Sequence, residues 1–73
     1  MQEIRRGDVV VAEAADGQPR ELRALSGVVP GGDFAVVWAC SAAEWEAAGG
    51  EGREPEGIPW PAEDVRLGNH AVA

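Results

Sequence analysis

The side chains with the most capacity for chemistry in this 73-residue sequence are its only cysteine and its only histidine. A thiol and an imidazole form a nucleophile and its base when they are held within hydrogen-bond reach. His70 lies in GNHAVA, which has no periodic pattern, whereas Cys40 is in phase with Phe34, Val36 and Trp38 along an apolar run. We therefore expect Cys40 to be a small core residue and predict no Cys–His pair.

Carboxylates are the second candidate for chemistry. Glu63 and Asp64 are adjacent, so they do not face each other as a general acid and base do, and turn capping accounts for them. Glu51, Glu54 and Glu56 would make only a weak and unselective site for a hard cation. The glycine-rich stretches lack the lysine of a phosphate-binding loop. The sequence therefore predicts no catalytic residue, no cofactor and no metal site, and the chain is not expected to be an enzyme.

The three tryptophans are candidates for binding a partner, because tryptophan is enriched among the residues that contribute most of the binding energy at protein interfaces. Trp60 stands between two prolines, and Trp45 lies in a predicted helix. A groove lined by both indoles and rimmed by acids would suit a basic or amphipathic peptide. The predicted partner-binding residues are Trp60, Trp45, Glu44, Glu46, Glu56 and Glu63. The alternative is that all three indoles, Trp38 included, belong to the core.

The charge balance limits the kinds of partner. The chain carries six arginines, no lysine and 13 acidic residues, a net charge of −7. Direct binding of nucleic acid needs clustered cations, so it is not expected. Residues 41–64 hold seven carboxylates against Arg53, a net charge of −6, which raises the alternative of an acidic nucleic-acid mimic that inhibits a DNA- or RNA-binding protein.

The composition also bears on location. A membrane span needs about 18 consecutive apolar residues, and no run approaches that length. The segment MQEIRRGD lacks the apolar region of a signal peptide. One cysteine cannot make an internal disulfide, so we expect a reducing, cytoplasmic setting. The abundance of alanine, glycine and valine is typical of a GC-rich, bacterial genome.

The elements that position these side chains are mostly predicted strands. GDVVVAE, RELRALSGVV and DFAVVWAC alternate as strands do, and PGGD at 30–33 is a turn that joins the last two as a hairpin. A bend is expected near Ser26 and Gly27. In the third strand we expect the face with Phe34, Val36, Trp38 and Cys40 to hold the core, with small residues on the other face.

A change of period after the third strand predicts one short helix. Ser41 and Glu44 fit a capping box, and Gly49–Gly50 is a stop signal, which gives a helix at about 42–48 docked through Trp45. Residues 49–57 are polar, acidic and rich in glycine, and are expected to form a mobile loop.

The stretch GIPWPAEDVRL, residues 57–67, resembles the end of SH3-like barrels, where a glycine, an aromatic residue and a proline precede a 3₁₀ turn and a short closing strand. RRGDVVVAE also resembles the first strand of bacterial SH3-like and MazF-like small barrels. The tyrosine-containing cluster of eukaryotic SH3 domains is absent, so their proline-recognition surface is not implied. The MazF-like ribonucleases use arginine with serine or threonine, and this chain has no threonine.

The resulting prediction is a mainly β fold with one short α-helix. It is an SH3-like small barrel of about five short antiparallel strands, with the helix inserted before the last strands. Residues 1–67 form one domain and residues 68–73 a flexible tail. The predicted function is a small, acidic, non-catalytic protein-interaction module in the cytoplasm with a basic or amphipathic protein partner and no membrane. A structural subunit of a homo-oligomer is a further alternative, which leaves homodimerisation open.

Overall fold

A computed structural model describes residues 3–68, and the predicted tail, with His70, lies outside them except for Gly68. The described chain is mainly β with one helix, as predicted. The elements in chain order are β1 (Val9–Glu13), β2 (Pro19–Pro30), β3 (Ala35–Ser41), α1 (Ala42–Glu51), β4 (Ile58–Pro61), a 3₁₀ turn (Ala62–Asp64) and β5 (Val65–Leu67).

The five strands form one antiparallel sheet in the order β4-β3-β2-β1-β5. The predicted hairpin is confirmed: β2 and β3 pair, and the Gly31 N–H closes their turn by donating to the Phe34 carbonyl at 3.0 Å. β3 pairs on both of its edges, with β2 and with β4. β4 and β5 stand at the two edges of the sheet, and the 3₁₀ turn connects them.

The predicted bend in β2 is confirmed as a bulge. Ala24 stands opposite Ala39 and Val28 opposite Val37, so three residues of β2 oppose one residue of β3. Gly27 is required there because a Cβ at this position would come within 2.7 Å of the Ile4 carbonyl oxygen. The bend therefore depends on a close approach of backbone that only glycine permits.

The interior is built from small side chains. Its buried cluster consists of alanine, valine and one isoleucine, namely Ile4, Val10, Ala12, Ala24, Val37 and Val65. Trp60 packs against this cluster. The fully buried side chains are therefore small, and the larger Leu22 and Trp60 pack against them while remaining partly exposed.

The prediction for the core-facing side of β3 is wrong for its two aromatic residues and right for Val36, which is 4% exposed. Val37 and Ala39, on the small-residue face, are 0% and 1% exposed, whereas Phe34 and Trp38 are 57% and 42% exposed. The small residues of β3 therefore face the interior, and the two large aromatic side chains lie on the outer surface. Cys40 is buried, as expected, at the end of β3 where α1 begins.

The helix begins as predicted and ends later. The Glu44 N–H donates to the Ser41 Oγ at 3.0 Å, which caps the first turn. The helix runs to Glu51, three residues beyond the predicted end, and Gly52 closes it with a left-handed φ of 70°. It contacts β2 and β3. Within residues 3–68, no helix has the length and apolarity needed to cross a bilayer.

Candidate functional site

Trp60, the first of the predicted binding residues, faces the interior. It stands opposite Val37 on β4 and packs against the buried cluster, so its indole is half-buried. It still lines a shallow depression of about 210 Å³ together with Glu56 and the exposed Ile58. The structure therefore brings together Trp60 and Glu56 from the predicted set.

Trp45 lies elsewhere and is flanked by the chain's own arginines. The guanidinium carbons of Arg6 and Arg23 lie 5.6 and 5.9 Å from the ring centroid, within cation–π range. This half-buried indole lines a separate depression with Arg6, Arg53 and Pro55. Trp45 therefore docks the helix, as predicted, and its ring is already occupied by intramolecular cations.

Glu44 anchors the segment that follows the helix. Its carboxylate accepts two hydrogen bonds from the Arg53 guanidinium, at 2.6 and 3.3 Å, and one from the Glu56 N–H at 2.9 Å. The Arg53 hydrogen bond, followed by that of the Glu56 N–H, lowers the pKa of Glu44 to about 2. In the predicted capping box the Glu44 carboxylate would accept from the Ser41 N–H. It accepts instead from Arg53 and Glu56, so its hydrogen bonds are made within the chain.

The last two predicted residues, Glu46 and Glu63, are exposed. Glu46 lies on α1, and Glu63 lies in the 3₁₀ turn. Glu63 lines a depression of about 290 Å³ with Phe34 and Pro61. The six predicted residues therefore do not form one groove. Trp45 and Trp60 line separate depressions, and Glu44 lies between them through its bonds to Arg53 and Glu56. Glu63 lies near Phe34, and Glu46 lines none of these depressions.

An apolar groove on the outer side of β3 and β4 was missed by the sequence analysis. Trp38 stands opposite Pro59 and Val36 opposite Pro61, so these four side chains share one face of the sheet. With Phe34 and the turn residues they enclose about 220 Å³. We call this surface the aromatic groove; its lining residues are Pro30, Gly31, Phe34, Val36, Trp38, Pro59 and Pro61.

The aromatic groove is held in place by the bend in β2. At the bulge, the Trp38 backbone N–H donates to the Ser26 Oγ at 3.2 Å. Ser26 in turn donates to the Gly27 carbonyl at 2.8 Å. The two prolines are compatible with β4 because it is an edge strand, where a missing N–H costs little.

The surroundings of the groove are acidic. All seven lining residues are uncharged. Glu63 lines the neighbouring depression, which shares Phe34 and Pro61 with the groove. Asp33 precedes Phe34 in the hairpin turn and is exposed. Four arginines pair with carboxylates away from the groove, namely Arg5, Arg6, Arg20 and Arg53.

The remaining chemistry of the described residues is limited. Burial raises the pKa of the Cys40 thiol, and the negative charge of Glu44 raises it further. Glu51 and Glu54, considered above as cation ligands, are bound by Arg53 and Arg6. In the part of the chain that the structure describes, no group of three or more His, Cys, Asp or Glu residues is arranged to hold a metal ion.

Comparison of the chain with protein families, with curated proteins and with solved structures finds no match. The geometry of the described residues is therefore the basis for assigning a function.

Proposed function

We propose that this chain is a small non-catalytic protein-interaction module that binds its partner through the aromatic groove. The observation that carries the proposal is the exposure of Phe34 and Trp38, at 57% and 42%, beside two prolines in a domain of this size. A small domain has little apolar surface to spare, because it already buries a low fraction of its unfolded surface. Large aromatic side chains left outside a core of alanine and valine favour a role in binding.

The strand order supports the resemblance to SH3-like barrels. β5 pairs with β1 at one edge, β4 pairs with β3 at the other, and a 3₁₀ turn precedes β5. α1, between β3 and β4, is an addition to that arrangement. The fold positions the groove but does not define its ligand, since one fold carries many functions.

The size of the aromatic groove favours a protein partner over a small molecule. Its volume of about 220 Å³ is below the roughly 300–1,000 Å³ that is usual for small-molecule pockets. A shallow groove of this size accepts one or two apolar side chains from a larger surface. The single buried thiol supports a reducing compartment such as the cytoplasm.

Selection of random 12-residue peptides on the immobilised full chain tests the proposal. Selected peptides are expected to bind wild type and Ile58→Ser, and to lose binding to Trp38→Ser. Ile58 is a matched control because it is apolar and 58% exposed but lines the Trp60 depression. Far-UV circular dichroism of each variant shows whether the fold is retained.

Two results would contradict this assignment. Peptides that bind Trp38→Ser as well as wild type do not use the aromatic groove. Peptides lost on Ile58→Ser alone place binding at the depression of Trp60 and Glu56, which is the surface predicted from the sequence.

A further inference from the structure

The charges around the aromatic groove identify the kind of segment that fits it. We infer that its occupant is a cationic segment of a partner protein, in which arginine flanks an apolar side chain. This inference rests on the proposed function and adds the chemistry of the partner. The following observations carry it.

The first observation is the sign of the charge at the groove. Glu63 adjoins the groove through Phe34 and Pro61, Asp33 lies in the turn beside it, and the lining itself is uncharged. The chain as a whole carries −7. A partner with cations around its apolar anchor complements this field, whereas an acidic peptide or an anionic lipid surface is repelled by it.

The second observation is that the molecule already shows how its indoles bind guanidinium groups. Trp45 is flanked by Arg6 and Arg23 at 5.6 and 5.9 Å from its ring centroid. Within residues 3–68, both arginine–ring contacts involve Trp45. Trp38 presents the same ring to solvent at the groove, so an arginine from a partner supplies the contact that Trp45 obtains within the chain.

The third observation disfavours a second copy of the chain as the occupant. A symmetric dimer through the groove would bring two chains of charge −7 together with the same acids facing each other. Pairing of sheet edges is also impeded. β5 has only three residues, and Pro59 and Pro61 remove two backbone donors from β4.

The experiment uses synthetic versions of peptides selected on the full wild-type chain, with affinity measured by fluorescence anisotropy. We expect the selected sequences to be enriched in arginine next to an aliphatic or aromatic residue. Exchange of one such arginine for glutamine is expected to weaken binding about two- to five-fold, and the Asp33→Asn/Glu63→Gln variant of the chain should cause a similar loss. Binding should also weaken as salt is raised. Trp38→Ser is expected to cost about 30-fold or more.

The outcomes separate this inference from the proposed function. Selected peptides that require Trp38 but lack arginine, or that bind the Asp33→Asn/Glu63→Gln variant as tightly as wild type, overturn the inference and leave the interaction module standing. Peptides whose binding is unchanged by Trp38→Ser overturn the proposed function, which places binding at the aromatic groove. A wild-type dimer in analytical ultracentrifugation that Trp38→Ser dissociates shows a second copy in the groove and also overturns the inference.

Discussion

Truncation of Val37 to alanine should destabilise the protein more than truncation of the much larger Phe34. Val37 is fully buried between the inner faces of the sheet, whereas Phe34 is 57% exposed. Removing two buried carbon groups from Val37 forfeits about 1.6 kcal/mol of transfer free energy. The cavity left in a core that relaxes only partly raises the expected cost to about 2–3 kcal/mol. Since burying a whole phenylalanine contributes about 1.5–3 kcal/mol, the partly exposed Phe34 should cost about 1 kcal/mol.

Urea unfolding followed by far-UV circular dichroism measures both costs on the same scale. In a domain of this size, about 1 kcal/mol corresponds to roughly 4–8 °C in Tm, so thermal unfolding provides a second measurement. Trp38→Ala serves as a second exposed-face variant, and it should resemble Phe34→Ala. If Phe34→Ala lowers the free energy of unfolding by as much as Val37→Ala, the core lies on the large-residue face of β3 and the placement of the groove is wrong.

Three further predictions concern stability and reactivity. The pKa of Glu44 is lowered from 4.5 to about 2, so the contribution of its carboxylate to stability is complete above pH 4.5 and lost as the pH falls towards 2. The Tm of Glu44→Gln should therefore decline less than the Tm of wild type over this range. Equal declines of the two Tm values would contradict the network around Glu44. The buried Cys40 thiol should react with a disulfide reagent only after urea unfolding, and rapid reaction of the native protein would show that it is accessible. A Cβ added at Gly50 or Gly52 would meet no atom within 4 Å, but of these two glycines only Gly52 has a positive φ. Gly52→Ala should lower the free energy of unfolding by about 1–2 kcal/mol, whereas Gly50→Ala should raise it by about 0.5–1 kcal/mol. Urea unfolding that gave both changes the same sign would refute this reasoning.

Local chemistry was sufficient to predict the turns, the bend and the start of the helix. The glycines of PGGD predict a turn at 30–33, and the observed turn lies one residue later, between Pro30 and Ala35. Ser41 caps the helix through a residue three positions later, and Gly27 marks the bend because it lacks a side chain. The turn and the helix start depend on neighbours in sequence, and the bend is marked by a glycine inside a strand pattern, so the pattern of residues predicts all three.

The inner face of β3 could not be deduced in this way. Alternation shows that Phe34 and Trp38 share a face, but the face that points inward depends on how tightly the sheet bends and where α1 docks. Both depend on contacts between residues distant in the chain. The alternation of Pro59, Trp60 and Pro61 was a usable signal, since an inward Trp60 requires both prolines to face outward beside Trp38.

The predicted binding surface depended on charges whose partners are distant in sequence. Glu44 was assigned to the rim of a groove, but Arg53 and the Glu56 backbone bind its carboxylate. Trp45 likewise meets Arg6 and Arg23, which are 39 and 22 positions away in the sequence. A single sequence identifies residues suited to binding, but it does not show whether other residues of the same chain already contact them.

The composition of the aromatic groove has a consequence for the thermodynamics of association. Its floor is made of proline rings, an indole and a phenyl ring, which have few rotatable bonds, and the Trp38 backbone N–H is hydrogen-bonded to the Ser26 Oγ. A surface of this kind has little side-chain entropy left to lose when it is covered. Most of the ordering cost then falls on the incoming segment, so stiffening that segment should tighten the complex more than enlarging the contact area.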